Sequence, residues 1–401
     1  MKSLKLREAT FKIGSGATPR GGKNVYVDSG TAFIRSQNVL DLEITLDGLA
    51  FIDEAAASKL AGVSVKQGDV LINITGDSTA RVALWDLEMP ARVNQHVSIL
   101  RANPSLLNAR WLQYWLVQPM VKNHLLVLAA SGGSRPALTK AMLANLEVPL
   151  PPLTQQRRVI EVLGSLDDKI AANQEVISLS RKMIQTAAET ASNTVSLDEL
   201  AVRNKKSINP TKLGHAFVKH YSIPSFDSGA PIMEAADSIK SNKMHVERAS
   251  VLVSKLNPDT PRVWSVPAPA AEALSLASTE FIVLEPSDIT QSQLYAATLH
   301  PQLHRQLASL VGGTSKSHQR VKPEDMLKCV VPDVRDLTDT QVALLETLAK
   351  TEIQAANENL TLANTRDELL PLLMNGKITV REAKQEATTA GAEIPGKENK
   401  A

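Results

Sequence analysis

The residues whose types could do bond-breaking chemistry are present in this chain, but their spacing is wrong for it. Gly312-Gly313-Thr314-Ser315-Lys316-Ser317 combines glycines, hydroxyls and a lysine. Its glycines are adjacent, whereas a phosphate-cradling loop needs two glycines around four residues and then Lys-Ser/Thr. Asn257-Pro258-Asp259-Thr260 starts like the Asn-Pro-Pro-aromatic string that holds a flipped base for amino-methylation, without the second proline or the aromatic. Asp167-Asp168-Lys169 has part of a metal-nuclease set, on the exposed face of a helical heptad. The 8 histidines show no metal-ligand spacing, and His96, after Asn94-Gln95, reads as a polar loop residue. The single cysteine, Cys329, excludes an internal disulfide and any cysteine-cluster metal site. It reads as a small core residue. The chain is expected to break no bonds itself.

What remains is chemistry for holding a polyanion. DNA is held by Lys, Arg, hydroxyls and backbone amides on phosphate, and its base edges are read by Arg, Lys, Asn and Gln. Loops of this composition occur in both halves. The first half has Arg20 and Lys23 in Thr18–Asn24, Arg35, Gln37 and Asn38 after a short apolar run, Arg81 near Thr75-Gly76-Asp77-Ser78, and Ser134-Arg135 after a glycine pair. The second half has Lys219, Lys240 and Lys243, Lys255 in Ser254-Lys255-Leu256-Asn257, and Lys316 and Arg320 after the second glycine pair. Surface loops are polar in any protein; these are singled out by recurring at equivalent places.

The 401 residues carry 44 basic and 42 acidic side chains, a net charge of +2. That near-balance hides alternating blocks: +4 over 1–150, −2 over 151–200, +4 over 201–330 and −4 over 331–401. The same period appears in the residues. Val70-Leu71-Ile72 returns as Val251-Leu252-Val253, His96–Leu100 corresponds to Glu280–Leu284, and Pro119 to Pro301. Gly132-Gly133 pairs with Gly312-Gly313, Met142-Leu143 with Met326-Leu327, and Val148-Pro149 with Val331-Pro332. The order is kept throughout, so a tandem duplication with a period near 183 residues is expected.

Each repeat needs elements that position its loops. Val70–Thr75, Val97–Leu100, Val251–Ser254 and Phe281–Leu284 read as strands, and Arg110–Leu128 and Gln291–Leu310 as helix. A long helix then follows in each. Pro149-Leu150-Pro151-Pro152 cannot lie inside a helix, so the first begins directly after it with Thr154 as N-cap. Thr338-Asp339-Thr340-Gln341 has capping-box form for the second. Val159, Leu163, Leu166, Ile170, Asn173 and Ile177 alternate at spacings of four and three, as does a coiled-coil seam. Val342, Ala349, Ile353, Ala356 and Leu360 hold equivalent places in the second helix. Asn173 is a buried amide that would fix register. The second helix is expected to end near Pro371, with Asn375-Gly376 as its cap and a disordered polar tail beyond.

With these features assembled, the chain resembles the specificity (S) subunit of type I restriction–modification systems, up to about Arg381. The resemblance is carried by Val148–Ile160, with its Pro-Leu-Pro-Pro junction, by Leu166–Asn173, and by Leu369–Ile378. Gly68-Asp69-Val70-Leu71, Asn94-Gln95-His96-Val97, Ser131–Pro136, His220–Pro224 and Ile239–Lys243 add to it. Pro332-Asp333-Val334 departs from it, where a second Pro-Leu-Pro-Pro would be expected. The resemblance implies an α+β fold with two α/β target-recognition domains and two long helices paired as an antiparallel coiled coil, in an internal pseudo-twofold repeat. Recognition domains would span 1–150 and 194–334, spacer helices 151–193 and 335–380, and the tail 381–401. It implies further that each recognition domain reads one half of a bipartite double-stranded DNA site, and that two methyltransferase subunits dock along the helices. Restriction subunits would join for cleavage. S-adenosylmethionine, ATP and magnesium would be used by those partners and no cofactor by this chain. The N-terminus lacks a secretory signal and no apolar run is long enough to span a bilayer, so a cytoplasmic protein with no membrane partner is expected. Two other readings stay open on the residues alone: a self-contained methyltransferase or nuclease with degenerate motifs, and a coiled-coil scaffold whose globular blocks bind protein.

Overall fold

Short apolar runs bounded by turn residues become strands, and the two stretches after the prolines become helices of 36 residues each, in a computed structural model of the chain. The structure describes residues 3–131, 136–269, 274–311 and 319–394. Its mixed strands and helices divide into two compact units, Met1–Asp167 with Asn364–Ala401, and Asp168–Ala363. The long helices Leu153–Ala188 and Asp339–Met374 therefore each contribute to both.

In the first unit, Ser3–Lys5 pairs with Glu147–Pro149, closing the chain ends of the globular part. A four-stranded antiparallel sheet runs in the order Thr10–Ser15, Val97–Ala102, Asp69–Asn73, Val82–Trp85. Its central strands are apolar on both faces: Val70, Leu71, Ile72, Ile99 and Leu100 are fully buried. A five-stranded mixed sheet packs beside it, ordered Tyr26–Val27, Ala50–Ile52, Thr31–Ile34, Ala91–Val93, Ser64–Val65. Ala32, Ile34, Leu71, Trp85, Val93, Val97 and Ile99 make one core from both sheets. The stretch expected as a single helix is two, Ala109–Val117 and Pro119–Ala130. Pro119 has no N–H to continue the first helix and instead opens the second.

In the second unit, Thr194–Ser196 pairs with Val330–Pro332. The four-stranded sheet has the order Ala201–Asn204, Phe281–Pro286, Ser250–Ser254, Val263–Val266. The five-stranded sheet has the order Ser207–Ile208, Lys243–Val246, Leu274–Ala277, Phe217–Tyr221, Ile232–Ala235. Pro301 again splits the helical stretch, into Gln291–Leu299 and Pro301–Leu310.

Within the second unit the two long helices run antiparallel. Asn359 Nδ2 donates to the Ile170 carbonyl at 3.3 Å, Asn173 Nδ2 to Glu358 Oε2 at 2.7 Å, and Arg181 Nε to Glu352 Oε1 at 2.8 Å. Asn173 is buried, and Glu358 satisfies its amide. Ile170 and Ile177 are half-buried. The buried row of the second helix differs from the expected one. It passes through Leu345, Ala349, Glu352, Ala355 and Leu362; Val342, Ile353 and Ala356 are half-buried, and Leu360 is 41% exposed. An apolar template leaves out a glutamate, and Glu352 takes a seam place because Arg181 neutralises it there. Within the first unit, Val159, Leu163 and Leu166 are buried as expected, as are Leu369, Leu370 and Leu373.

The second long helix runs through Pro371 to Met374, and Gly376, at φ +68°, ends it, so the Asn375-Gly376 cap stands where expected. The first starts at Leu153, so Thr154 lies in its first turn. Residues expected as disordered tail include a helix, Val380–Thr389, begun by a reciprocal Thr379–Glu382 capping box. Ala383 and Ala387 are fully buried, and Lys384 Nζ reaches Glu161 Oε1 at 2.7 Å. Alanine is small enough for close helix packing, which an average over a polar segment does not register.

Thr379→Ala removes that cap and should cost about 1 kcal/mol locally. Hydrogen exchange of amides 382–389 should speed up roughly fivefold while the four-stranded sheet of the same unit exchanges as before.

Candidate nucleic-acid interface

In the first unit five segments leave their strands at one edge of the sheets. Ile74 N–H donates to the His96 carbonyl at 2.9 Å, and Leu138 N–H to the Ile74 carbonyl at 2.9 Å. Thr75 forms a bridge with Ala137. Ala17 N–H donates to Val93 O at 3.1 Å and Asn94 N–H to Ile34 O at 3.0 Å. These bonds gather the loop Thr18–Asn24, the turn Arg35–Asn38, the turn 74–81, the corner Asn94–His96 and residues 136–138. Gly16 is required by the approach: a Cβ there would stand 1.9 Å from the Val93 carbonyl oxygen.

Side chains finish the edge. Asn73 is fully buried at the end of its strand and its Nδ2 donates to Ser36 O at 2.8 Å and Val39 O at 3.2 Å, pinning the 35–39 turn. A polar chain runs across the rim: Thr18 to Gln95, Gln95 Nε2 to His96 Nε2 at 3.1 Å, and His96 Nδ1 to Thr75 Oγ1 at 2.6 Å. Arg20, Lys23 and Gln37 are exposed. Arg35 is half-buried and donates from Nη2 to the Gly48 carbonyl at 2.7 Å. Asn38 faces inward instead: it is fully buried, with Nδ2 on the Thr45 and Asp47 carbonyls and Oδ1 accepting the Arg35 N–H. It holds the turn that presents its neighbours. Arg81 is half-buried, and its carbonyl accepts the Asn73 N–H to close the 74–81 turn. Ser134 and Arg135 lie outside the described residues.

In the second unit a matching edge forms. Lys255 N–H donates to Glu280 O at 2.9 Å, Val321 N–H to Lys255 O at 2.9 Å, and Asn257 N–H to Gln319 O at 2.9 Å. Leu256 bridges Arg320, and Ser254 N–H donates to Arg262 O at 2.9 Å. The turn takes a positive φ at Asn257, +49°, as the first unit's does at Gly76, +80°. Lys255 is half-buried. Arg320 lies bidentate on Glu280, Nε to Oε2 at 2.9 Å and Nη2 to Oε1 at 3.0 Å, and this carboxylate raises the guanidinium's pKa. Lys219, Lys240 and Lys243 lie on the five-stranded sheet and its connections. Lys219 is half-buried, and Lys240 is exposed with Nζ on the Asp237 carbonyl at 2.9 Å. Lys243 is buried, donating to Ser241 O and Oγ at 3.1 and 2.6 Å, and burial lowers its pKa. Its amine holds a turn. Lys316 lies outside the described residues.

Asn73, Thr75, Gln95, His96 and Glu280 tie these edges together; in the sequence Asn73 is not singled out, and the other four enter only as members of loop strings, the resemblance or the repeat. Their signal was position, immediately after or before an apolar strand, rather than charge. Among the described residues no group of three His, Cys, Asp or Glu side chains is placed to hold a metal. No helix among them is long and apolar enough to cross a membrane.

Residues 11–179 match the family described as type I restriction modification DNA specificity domain. The chain is 24% identical over 183 residues to a type I restriction enzyme specificity subunit, MjaVIII, of Methanocaldococcus jannaschii. It is 21% identical over 180 residues to a second, MjaX, from the same organism. These alignments cover 45% and 44% of this chain, and the chain spans 42% of the length of each relative. The type I restriction–modification S subunit from M. genitalium has a similar fold, with a TM-score of 0.54 at 14% identity, covering 93% of this chain and 95% of that one.

Asn73→Ala removes the side-chain donor of the Val39 carbonyl and leaves the Ser36 carbonyl with only the long bond from the Val39 N–H, at a cost of about 1–3 kcal/mol. Chemical denaturation should show that loss. Exchange at amides 36–39 should accelerate ahead of the sheet.

Proposed function

We propose that this chain, whose residues 11–179 match the type I restriction modification DNA specificity domain family, is the non-catalytic specificity subunit of a type I restriction–modification complex. Each of its two recognition blocks reads one half of a bipartite duplex site. The long helices pair as an antiparallel coiled coil that sets the gap and offers methyltransferase subunits a place to dock. Transfer of a methyl group and cleavage belong to partner subunits, acting in the cytoplasm. Consistent with this, the catalytic strings in the sequence are incomplete.

One observation carries the reading: the two loop edges are built on the same backbone bonds, between residues shifted by 181 to 184 positions in sequence. Ile74 to His96 corresponds to Lys255 to Glu280, Leu138 to Ile74 corresponds to Val321 to Lys255, and Asn73 to Arg81 corresponds to Ser254 to Arg262. The sheets agree in register too, with Leu100 opposite Val70 in one and Leu284 opposite Val251 in the other. This supports a duplication in which the frame is kept and the presented side chains differ. Arg20 and Lys23 project from the first edge, whereas the second carries Lys255 and the Arg320–Glu280 pair. Two readers of different half-sites need such a frame.

The block limits follow the sequence reading: recognition over 1–150 and 194–334, helices over 151–193 and 335–380. A helix of 36 residues spans ~50 Å, longer than a turn of B-DNA at about 34 Å. Two readers held that far apart leave an unread stretch between their half-sites.

Inserting seven residues after Asn173 and seven at the facing Glu358 lengthens the pair by about 10 Å, close to three base-pair steps. Methylation by the reconstituted complex should move to sites with a gap about three base pairs longer and the same half-sites, within the reach of that spacing argument. An unchanged gap sinks the ruler. Separately, Arg20→Ala with Lys23→Ala should weaken duplex binding and flatten the slope of log affinity against log salt by up to about 2, from two lost phosphate contacts. A scaffold that binds only protein shows no such slope.

A further inference from the structure

In each unit one buried tyrosine closes a ring with a carboxylate and an arginine taken from the two long helices. In the first, Tyr114 Oη donates to Asp167 Oδ2 at 2.5 Å and Arg366 Nη1 donates to Asp167 Oδ1 at 2.9 Å, so Asp167, expected on the exposed face of its helix, is half-buried and held from two sides. In the second, Tyr295 Oη lies 2.9 Å from both Glu352 oxygens, and Arg181 Nε donates to Oε1 at 2.8 Å. The tyrosines occupy matching helices, Ala109–Val117 and Gln291–Leu299, that follow each four-stranded sheet. The long helices exchange roles. The first gives the carboxylate to one ring and the arginine to the other, and the second does the reverse.

Both tyrosines are fully buried, and Glu352 is 6% exposed. Burial first, and the facing carboxylate next, raise the pKa of each phenol, so both remain hydroxyl donors at any working pH. Burial opposes the charge of Arg181, but the Glu352 carboxylate bonded to it outweighs that and holds the guanidinium charged. Each ring is thus a fixed donor–acceptor–donor set with no interchangeable arrangement. Apolar neighbours such as Trp111 and Leu294, also fully buried, keep these helices attached. Such attraction is non-directional, whereas a hydrogen bond to a charged group fixes angle as well as distance.

From this geometry we infer that Tyr114 and Tyr295 are positioning residues: their hydroxyls fix the angle of each recognition block on the long helices, and through it the single gap length the complex accepts. This rests on the specificity-subunit reading. The demand is quantitative. Changing the gap by one base pair shifts a half-site by about 3.4 Å and turns it by about 35° around the duplex. A block free to pivot over that range would accept neighbouring gaps, while its loops would still read the same bases.

The test uses the full chain reconstituted with its methyltransferase subunits, on a DNA library with fixed half-sites and varied gaps. The variants are Tyr114→Phe, Tyr295→Phe and the double, which keep the ring and its packing, together with Arg181→Lys, which keeps the charge but loses the fork. Wild type should methylate one gap. The double variant should methylate gaps one base pair longer and shorter at about a tenth of the native level or more, up from background, a tenfold effect being typical of one lost charge-assisted bond. Its half-site preference should stay as in wild type. Arg181→Lys should broaden the gap in the same way, and a Lys350→Arg control on the exposed face should not. If folded double variant and Arg181→Lys both keep the single gap of wild type, the positioning role is overturned. If wild type itself directs methylation to no bipartite site, the specificity-subunit reading fails instead.

Discussion

A 36-residue helix with one apolar stripe has no core of its own, and helix propensity in water does not hold such a stripe exposed. Covering it is the constraint on which the rest of the structure depends. In the second unit the cover is the other long helix, and the contact is more polar than a leucine seam. Asn173–Glu358, Asn359–Ile170 and Arg181–Glu352 are directional bonds spread over about three turns of helix. Each bond is satisfied at a single sliding position of the helices. Leucines alone tolerate a slip of one turn; a buried amide and a buried ion pair do not, because the slip leaves them desolvated without partners. Polar pairs of this kind contribute less to stability than to the choice of one register.

The globular blocks show a related division between what is held and what is presented. The loop edges are held by backbone N–H and C=O groups, as at Ile74–His96 and Lys255–Glu280, together with a few buried side chains such as Asn73, Asn38 and Lys243. Backbone bonds are indifferent to side-chain identity, so the tips can change composition without unfolding the frame. Asn38 and Lys243 illustrate why type alone misleads. Both are residues that read or hold DNA elsewhere, and both are consumed here in supporting their own turns.

Periodic features were legible in the sequence because period survives without tertiary knowledge. The central strands and the two long helices have repeating apolar positions, and each emerges where expected. Proline was read correctly as a boundary at Pro152 and missed at Pro119 and Pro301, where it opens a second helix inside an apparently continuous one. Pro371 went the other way: it stands inside the last turn of the helix, where its missing N–H leaves the Asp367 carbonyl one turn back without its helical donor. The seam of the second helix departs from the apolar pattern at Glu352 for one reason. Its burial is decided by an ion pair with a residue 171 positions away, and no local pattern encodes that partner. The same holds for the Arg320–Glu280 pair, which hides a cation that composition would count as available.

The Tyr114 and Tyr295 rings connect these two levels. A recognition block attached only by apolar contact would be free to rock, and any precision in its loops would be lost over a lever of tens of ångströms. Placing an inflexible hydroxyl between the block and both long helices makes the register of the helices and the angle of the block a single variable. On the proposed duplication the exchange of roles between the helices has a simple source: a carboxylate and an arginine at fixed separation on one ancestral helix would meet their antiparallel copy twice. On the proposed reading, that explains how one chain can present two half-site readers on equivalent mounts while the bases they read remain free to differ.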